Sequence, residues 1–169
     1  RRVIGNSQPR FSFGVPVGLS WKGININALF QGVARQHYYP DLENQMFWHS
    51  YARPYGTFYP ANFEDKIWRP DNPNAYFPRH IGYIAQNSEL SVANDMYLQD
   101  LAYIKLRNLT VAYTLPVELV SSIGLKHARV YVSGDNLFTW TKLDTDYIDP
   151  EEVMWDPTGR TYPIGKTFS

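Results

Sequence analysis

The clearest feature of the chain is a set of four segments in which apolar and polar residues alternate. They span residues 10–21, 24–34, 101–115 and 128–140. A period of two predicts β-strands that have one apolar face and one polar face. Each segment is longer than the roughly 5–6 residues usual for a strand in a soluble protein. Their length suits a tilted strand that crosses a bilayer, which needs about 9–11 residues.

The third segment carries a change of phase. Its apolar residues occupy even positions up to Leu106 and odd positions from Leu109, which predicts a β-bulge near Arg107-Asn108. Residues 116–124 then predict one or two helical turns that end at a glycine. Lys22-Gly23 predicts a tight turn between the first two segments.

Aromatic residues lie near both ends of the predicted apolar faces, as in the aromatic girdles of membrane barrels. One level contains Phe11, Phe30, Phe138 and Trp140, and the other contains Trp21 and Tyr113. The same alternation also fits a β-sandwich whose core is built from the apolar faces. The alternation predicts which residues share a face of the sheet. The apolar face would carry Phe13, Val15, Val17, Ile26, Val111 and Val130, and the polar face would carry Asn25, Asn27, Thr110 and Arg129.

Two long connections separate these strands, and two short ones alternate with them. The long ones are residues 35–99 and 141–166, a pattern typical of outer-membrane barrels, which have short periplasmic turns and long extracellular loops. The first long loop is rich enough in rings to become ordered, and its residues 61–68 predict a short helix. Its rings are Tyr38, Tyr39, Phe47, Trp48, Tyr51, Tyr55, Phe58, Tyr59, Phe63, Trp68, Tyr76, Phe77 and Tyr83.

The composition narrows the class of protein. Among 169 residues, 16 are basic and 16 are acidic, so no net charge attracts nucleic acid. The absence of cysteine excludes a disulfide scaffold and thiolate metal sites. No apolar run is long enough to predict a transmembrane helix. The sequence begins at Arg1-Arg2 rather than at Met, and it ends just as a strand starts, so we expect a portion of a larger protein.

No pattern of catalytic or metal-binding residues emerges. The histidines follow no metal motif, and the acidic stretch 144–156 has no EF-hand spacing, although a Ca²⁺ site there stays open as an alternative. We therefore expect no enzyme activity, no cofactor and no metal. The four histidines are His37, His49, His80 and His127.

Five stretches of the sequence resemble one family. Residues 103–116 are similar to the YLRLKNLTLGYTLP block of SusC-like TonB-dependent outer-membrane transporters, and residues 123–140 to the following block, IGL…VYVSGQNLFTW. Residues 2–11 resemble its RxIGNxxPRF entry to an earlier strand, and residues 162–169 its approach to the last strand. Residues 68–79 resemble its WxPxNPNAxxPR loop segment. The stretches occur in the family's order, so the resemblance covers the whole chain.

The resemblance implies an all-β protein, an antiparallel transmembrane β-barrel of about 22 strands with long extracellular loops. Residues 1–169 would be the C-terminal part of that barrel; the plug domain, the earlier strands and the end of the last strand would lie outside it. It also implies TonB-dependent import of oligosaccharides or oligopeptides across the Gram-negative outer membrane. The implied partners are a SusD-like surface lipoprotein, TonB through the N-terminal part, and outer-membrane lipid, with no nucleic acid.

Within the first loop, Trp48, Tyr51 and Trp68 are the candidate residues for contact with a ligand or partner, because flat rings stack on sugars or fill protein pockets. The alternative is that most rings only hold the loop together. Two other classes of protein stay open: a secreted β-sandwich that binds carbohydrate through Trp48 and Trp68, and a β-rich glycan hydrolase, for which the sequence offers no acid/base pair.

Overall fold

The chain folds into two compact units, which we call the sheet unit and the loop unit. The computed structural model describes residues 2–55, 57, 59–81, 90, 92–145, 147–156, 158–161 and 164–169. The sheet unit comprises Gln8–Gln36, Leu101–Lys142 and Ile164–Ser169, and the loop unit comprises Arg1–Ser7, His37–Asp100 and Leu143–Pro163. Phe58 and Tyr83, which the sequence analysis singled out, lie outside the described residues, as do Asp146, Tyr162 and Pro163.

Within the described residues, seven strands form two antiparallel sheets. Five of them build the sheet unit in the order β1-β2-β5-β6-β7, and β3 pairs with β4 in the loop unit. The strands are β1 (Phe11–Trp21), β2 (Ile24–Ala34), β3 (His37–Tyr38), β4 (Gln99–Asp100), β5 (Tyr103–Thr114), β6 (Arg129–Thr141) and β7 (Thr167–Phe168). The four long strands confirm the four predicted segments to within two residues at each end.

The register of the sheet unit places the predicted apolar residues on one face. Residues that lie opposite each other in an antiparallel pair point to the same side, and Ile26 lies opposite both Leu19 and Val111. At one end of this face, Trp21 and Tyr113 both belong to the row that contains Ile24, as the girdle pattern predicts. Most of these apolar side chains are exposed. Asn25, Asn27, Thr110 and Arg129 lie on the opposite face.

Turn chemistry sets how the long strands connect. Lys22 and Gly23 both have positive φ, 45° and 86°, the backbone conformation of a type I′ hairpin turn. Between β5 and β6 lies the helix Val117–Ser121, and Gly124 follows it with φ of 81°. This confirms the predicted helical turn and its stop.

The predicted bulge is also present. The register of β5 with both neighbours shifts between Leu106 and Asn108, so the irregularity lies at Arg107. The Arg107 guanidinium donates from Nε to Gln31 Oε1 (3.1 Å) and from Nη1 to Asn136 Oδ1 (3.0 Å). Asn136 has φ of 54°, a conformation that asparagine tolerates better than most residues. The extra residue therefore ties three strands together on their polar face.

The loop unit contains only short regular elements. The helix Gln45–Trp48 is capped by Asn44, whose Oδ1 accepts from the backbone N–H of Phe47 at 3.0 Å. Two 3₁₀ turns, His49–Tyr51 and Glu64–Lys66, complete its helical content within the described residues.

The helix predicted over residues 61–68 was wrong in extent, since only Glu64–Lys66 is helical. After Lys66 the backbone pairs with Phe77 instead of continuing the helix. The Phe77 N–H donates to Lys66 O (2.8 Å), and the Phe77 carbonyl accepts from the Trp68 N–H (2.9 Å). The chain after Lys66 is therefore extended. In the described part of the chain, no helix is long and apolar enough to cross a membrane.

Candidate functional site

The loop unit is held together by a cluster of aromatic rings centred on Trp48 and Phe77. The Trp48 ring meets Phe47 and Tyr97 edge-on, with centroids 4.7 and 5.1 Å apart. Phe77 stacks between Tyr51 (5.6 Å, 27°) and Tyr97 (5.9 Å, 12°). Such offset and edge-to-face pairs add to the free energy gained from burial alone. The rings form a hydrophobic core for a segment with little regular secondary structure.

The three candidate residues have different environments. Trp48 and Tyr51 are 0% exposed, whereas Trp68 is 36% exposed. Trp48 Nε1 donates to Asp41 O at 2.9 Å, and the Tyr51 hydroxyl donates to Pro78 O. Burial, more than any neighbouring charge, raises the pKa of the Tyr51 hydroxyl. For Trp48 and Tyr51 the burial favours the alternative that rings hold the loop together, while ligand or partner contact through Trp68 stays a prediction.

A small cavity lies beside this aromatic core. It measures about 20 Å³, which is enough for roughly one water molecule. Its polar lining residues include basic and acidic side chains; they are His49, Asn62, Lys66, Tyr76, Asp144, Thr145 and Tyr147. Both long loops contribute to it, because Asp144, Thr145 and Tyr147 belong to the second loop. The cavity therefore suits one small polar group and has no large binding volume.

His49 stands out in the wall of this cavity. Its backbone has φ of 48° and ψ of −123°, a region in which side chains are strained. The imidazole is buried and meets Phe63 edge-on at 4.4 Å, with Tyr147 at 6.0 Å. The aromatic packing of this side chain holds a backbone conformation that glycine would adopt more readily. No sequence signal distinguished His49 from the other histidines.

The second long loop is ordered by one carboxylate. Asp156 accepts five hydrogen bonds of 2.6–3.0 Å, from the backbone and hydroxyl groups of Thr158 and Thr161 and from Arg160 N–H. The hydroxyls of Thr158 and Thr161 are the main cause that holds the pKa of Asp156 far below its usual range. Among the described residues, no group of three or more acidic, histidine or cysteine side chains is placed to hold a metal.

The polar face of the sheet unit carries its own hydrogen bonds. Asn108 Nδ2 donates to Asp135 Oδ1 at 2.8 Å, and Thr110 Oγ1 donates to Asn108 Oδ1 at 3.3 Å. Near the hairpin, Ser20 Oγ donates to Asn25 Oδ1 at 2.8 Å. Neighbouring strands are thus linked by polar side chains on this face, as in the Asn108–Asp135 and Ser20–Asn25 pairs.

Known proteins give this geometry a context, although no protein-family model matches the chain. TonB-dependent receptor P26 of Formosa agariphila is 32% identical over 149 residues, which cover 88% of this chain. TonB-dependent receptor P3 of the same organism is 30% identical over 155 residues, or 89% of the chain. The chain is a SusC-like TonB-dependent transporter segment. It spans 14% of the length of each of these two relatives.

Solved structures agree with this assignment at the level of the fold. The segment matches the RagAB peptide importer in its closed-closed state with a TM-score of 0.61 and 21% identity, over 99% of this chain and 17% of that one. For the open-open state the TM-score is 0.55 with 21% identity, over 98% and 16%. The antiparallel strands of the transporter segment therefore match part of a TonB-dependent barrel. The names of these proteins are those of receptors and an importer, in line with the expectation of no enzyme activity.

Sequence reasoning missed two features of the transporter segment. Trp155 is 89% exposed, and it sits on a turn anchored by the buried Val153 and by the Asp156 hydrogen bonds. Gln99 is only 2% exposed and links the two long loops. Neither residue belongs to a periodic pattern, so the exposure of Trp155 and the burial of Gln99 become visible only in the folded structure. For Trp155, its place among the acidic residues of the stretch 144–156 was the one available signal.

Proposed function

We propose that this chain forms part of the wall and the extracellular side of an outer-membrane barrel that imports nutrients with energy from TonB. The observation that carries the proposal is the unbroken apolar face of the sheet unit. Val15, Val17 and Val111 lie on it and are exposed, whereas the opposite face is lined by hydrogen-bonded polar groups. A wall between lipid and a wet lumen has this distribution.

We further propose that the segment is the C-terminal part of a barrel of about 22 strands. The outer edges of β1 and β7 have no neighbour in the described sheet, and an open edge in lipid leaves backbone groups unsatisfied. Strands from the rest of the polypeptide would pair with both edges. A secreted β-sandwich is the weaker alternative, because it would cover the apolar face with a second sheet.

The loop unit is our candidate for the extracellular side. Two observations support this: it contains both long loops, and its ring cluster makes it ordered rather than a loose connector. We propose that it contacts a SusD-like lipoprotein or the substrate, with Trp68 as a contacting ring. Trp48 and Tyr51 would act indirectly, by fixing the shape of the loop.

Oligopeptides and oligosaccharides are both proposed as substrate classes. The importer that the fold resembles is a peptide importer by name. Rings such as Trp68 also stack on sugar faces. Transport of either class would need the plug and the TonB-binding segment of the whole protein, to which TonB itself would bind.

An uptake assay in cells tests this proposal. A strain without the native receptor would carry the complete transporter, and uptake of fluorescent oligopeptides and of labelled oligosaccharides would be measured with and without TonB. We expect TonB-dependent uptake of one class. Trp68→Ala should reduce that uptake, while Tyr55→Ala, which also removes an exposed ring of the first loop, serves as the control. Uptake of neither class, or uptake that persists without TonB, would contradict the proposal.

A further inference from the structure

Gln99 is a buried side chain at which the two long loops meet. Gln99 lies in β4, where its backbone pairs with Tyr38, and its side chain is 2% exposed. It belongs to the end of the first long loop, four positions before β5 begins. Asp144, its partner from the second long loop, follows the end of β6 by three positions. The contact joins residues that are 45 positions apart in the sequence.

The amide of Gln99 uses both of its ends in this contact. Its Nε2 donates to Tyr76 Oη (3.1 Å), to Tyr97 O (3.1 Å) and, at a longer distance, to Asp144 Oδ2 (3.4 Å). Its Oε1 accepts from the backbone N–H of Asp144 at 3.2 Å. A side chain that both donates and accepts across the same contact fixes its partner in position and orientation.

Tyr76 closes the ring of hydrogen bonds. Its hydroxyl accepts from Gln99 and donates to Asp144 Oδ2 at 3.3 Å. Burial is the largest of the effects that raise the pKa of this hydroxyl, so it keeps its proton at neutral pH and remains a donor to the carboxylate. The Tyr76 ring also packs against Phe77 (4.9 Å) and Tyr97 (5.4 Å) in the aromatic core. The polar triangle is therefore anchored on the aromatic core of the first loop.

From this geometry we infer that Gln99 is a clamp that makes the two long loops one cooperative unit, so that they become ordered and disordered together. A buried amide oxygen that loses its donor carries a desolvation cost, and opening the second loop alone would take from Gln99 Oε1 the Asp144 N–H from which it accepts. Opening of either loop thus weakens the order of the other. A ligand or partner that orders one loop would order both.

Hydrogen exchange of the complete transporter, followed by mass spectrometry, tests the clamp. Gln99→Leu keeps the size of the side chain and removes its polar atoms. We expect exchange to rise about 10-fold in the second loop, at residues 147–156, as well as near residue 99. Gln31→Leu is the matched control, because Gln31 binds Arg107 in the sheet unit; it should leave both loops unchanged.

A swap of the two polar groups sharpens the test. Gln99→Glu alone places a carboxylate against Asp144 and should raise exchange in both loops. The double variant Gln99→Glu, Asp144→Asn restores a donor opposite an acceptor and should return exchange in both loops toward the original rate.

Tyr76→Phe, which removes a single oxygen, gives a milder version of the test that does not threaten assembly. It should raise exchange at residues 147–156 about 3-fold. A rise confined to residues near 99 or 76, with residues 147–156 unchanged in all these variants, would overturn the inference. So would a double variant no better protected than Gln99→Glu.

Discussion

The two units use aromatic residues in opposite ways. In the loop unit, rings such as Tyr51 and Phe63 are buried against one another. In the sheet unit, rings such as Trp21, Phe138 and Trp140 are exposed at the ends of an apolar strand face. The residue types are the same, but their spacing differs: alternation along a strand turns every ring of a set to one side, whereas irregular spacing lets rings converge.

This contrast indicates what each unit needs from its surroundings. The loop unit supplies its own core, so water is a suitable solvent for it. The sheet unit leaves large apolar side chains uncovered, and each exposed Val, Leu or Phe forgoes about 1.5–3 kcal/mol of burial free energy in water. The contrast therefore rests on two conditions. The apolar face of the sheet unit must meet an apolar environment, and the rings of the loop unit must form a packed core.

The largest expected effect is on the loop core. Trp48→Ala removes a fully buried ring and its hydrogen bond to Asp41, which should cost about 3–5 kcal/mol. Because the loop unit has its own core, the cost should appear as lost hydrogen-exchange protection in residues 37–81 of the complete transporter. Protection equal to that of the unchanged protein would show that the rings do not form a core.

The next effect concerns the sheet face. Val111→Arg should cost roughly 2–4 kcal/mol if the residue lies near the bilayer midplane, measured as the free energy of unfolding of the transporter in lipid vesicles under denaturant. Thr110→Arg changes the neighbouring residue on the polar face and is the control, with a much smaller cost. Equal costs at the two positions would break the distinction between the faces.

A smaller effect is expected from pH on the second loop. Because its hydrogen bonds lower the pKa of Asp156 below the value near 3.9 of an unfolded chain, the carboxylate stabilises the loop above about pH 4. That contribution is lost as the pH falls further, toward the folded value. Proteolysis of residues 147–161 should be constant from pH 5 to 7 and increase in strong acid. Asp156→Ala should raise proteolysis between pH 5 and 7, with a smaller difference in strong acid, and a transition near pH 6 would contradict the assignment.

The smallest effect is predicted for Trp155, the most exposed ring among the described residues of the loop unit. Trp155→Ala removes a ring that is 89% exposed, and surface substitutions usually change stability by less than about 0.5 kcal/mol. Thermal unfolding should therefore be nearly unchanged, in contrast to Trp48→Ala. A large loss of stability would mean that Trp155 is covered in the complete protein.

Sequence reasoning predicted the sheet unit well, because period-two alternation, a phase change and turn residues are local signals. It placed the bulge at Arg107 and the helical turn before Gly124, both of which are confirmed. It did not predict which rings of the loop unit are buried. The burial of Trp48 and Tyr51 and the clamp of Gln99 depend on contacts between distant residues that leave no periodic pattern. The prediction of a helix over residues 61–68 was wrong in extent for the same reason, since the backbone of Phe77 pairs with Lys66 and Trp68.

Spin labels on adjacent residues of the sheet test the central claim most directly. Labels at Val15 and Val111 on the apolar face, and at Asn27 and Thr110 on the polar face, would be compared in the complete transporter in lipid vesicles. Relaxation by oxygen, which dissolves in lipid, should dominate at Val15 and Val111, and relaxation by a water-soluble nickel complex at Asn27 and Thr110. Labels at Val15 and Val111 that respond only to the water-soluble reagent would contradict a lipid-facing wall and favour a soluble sheet.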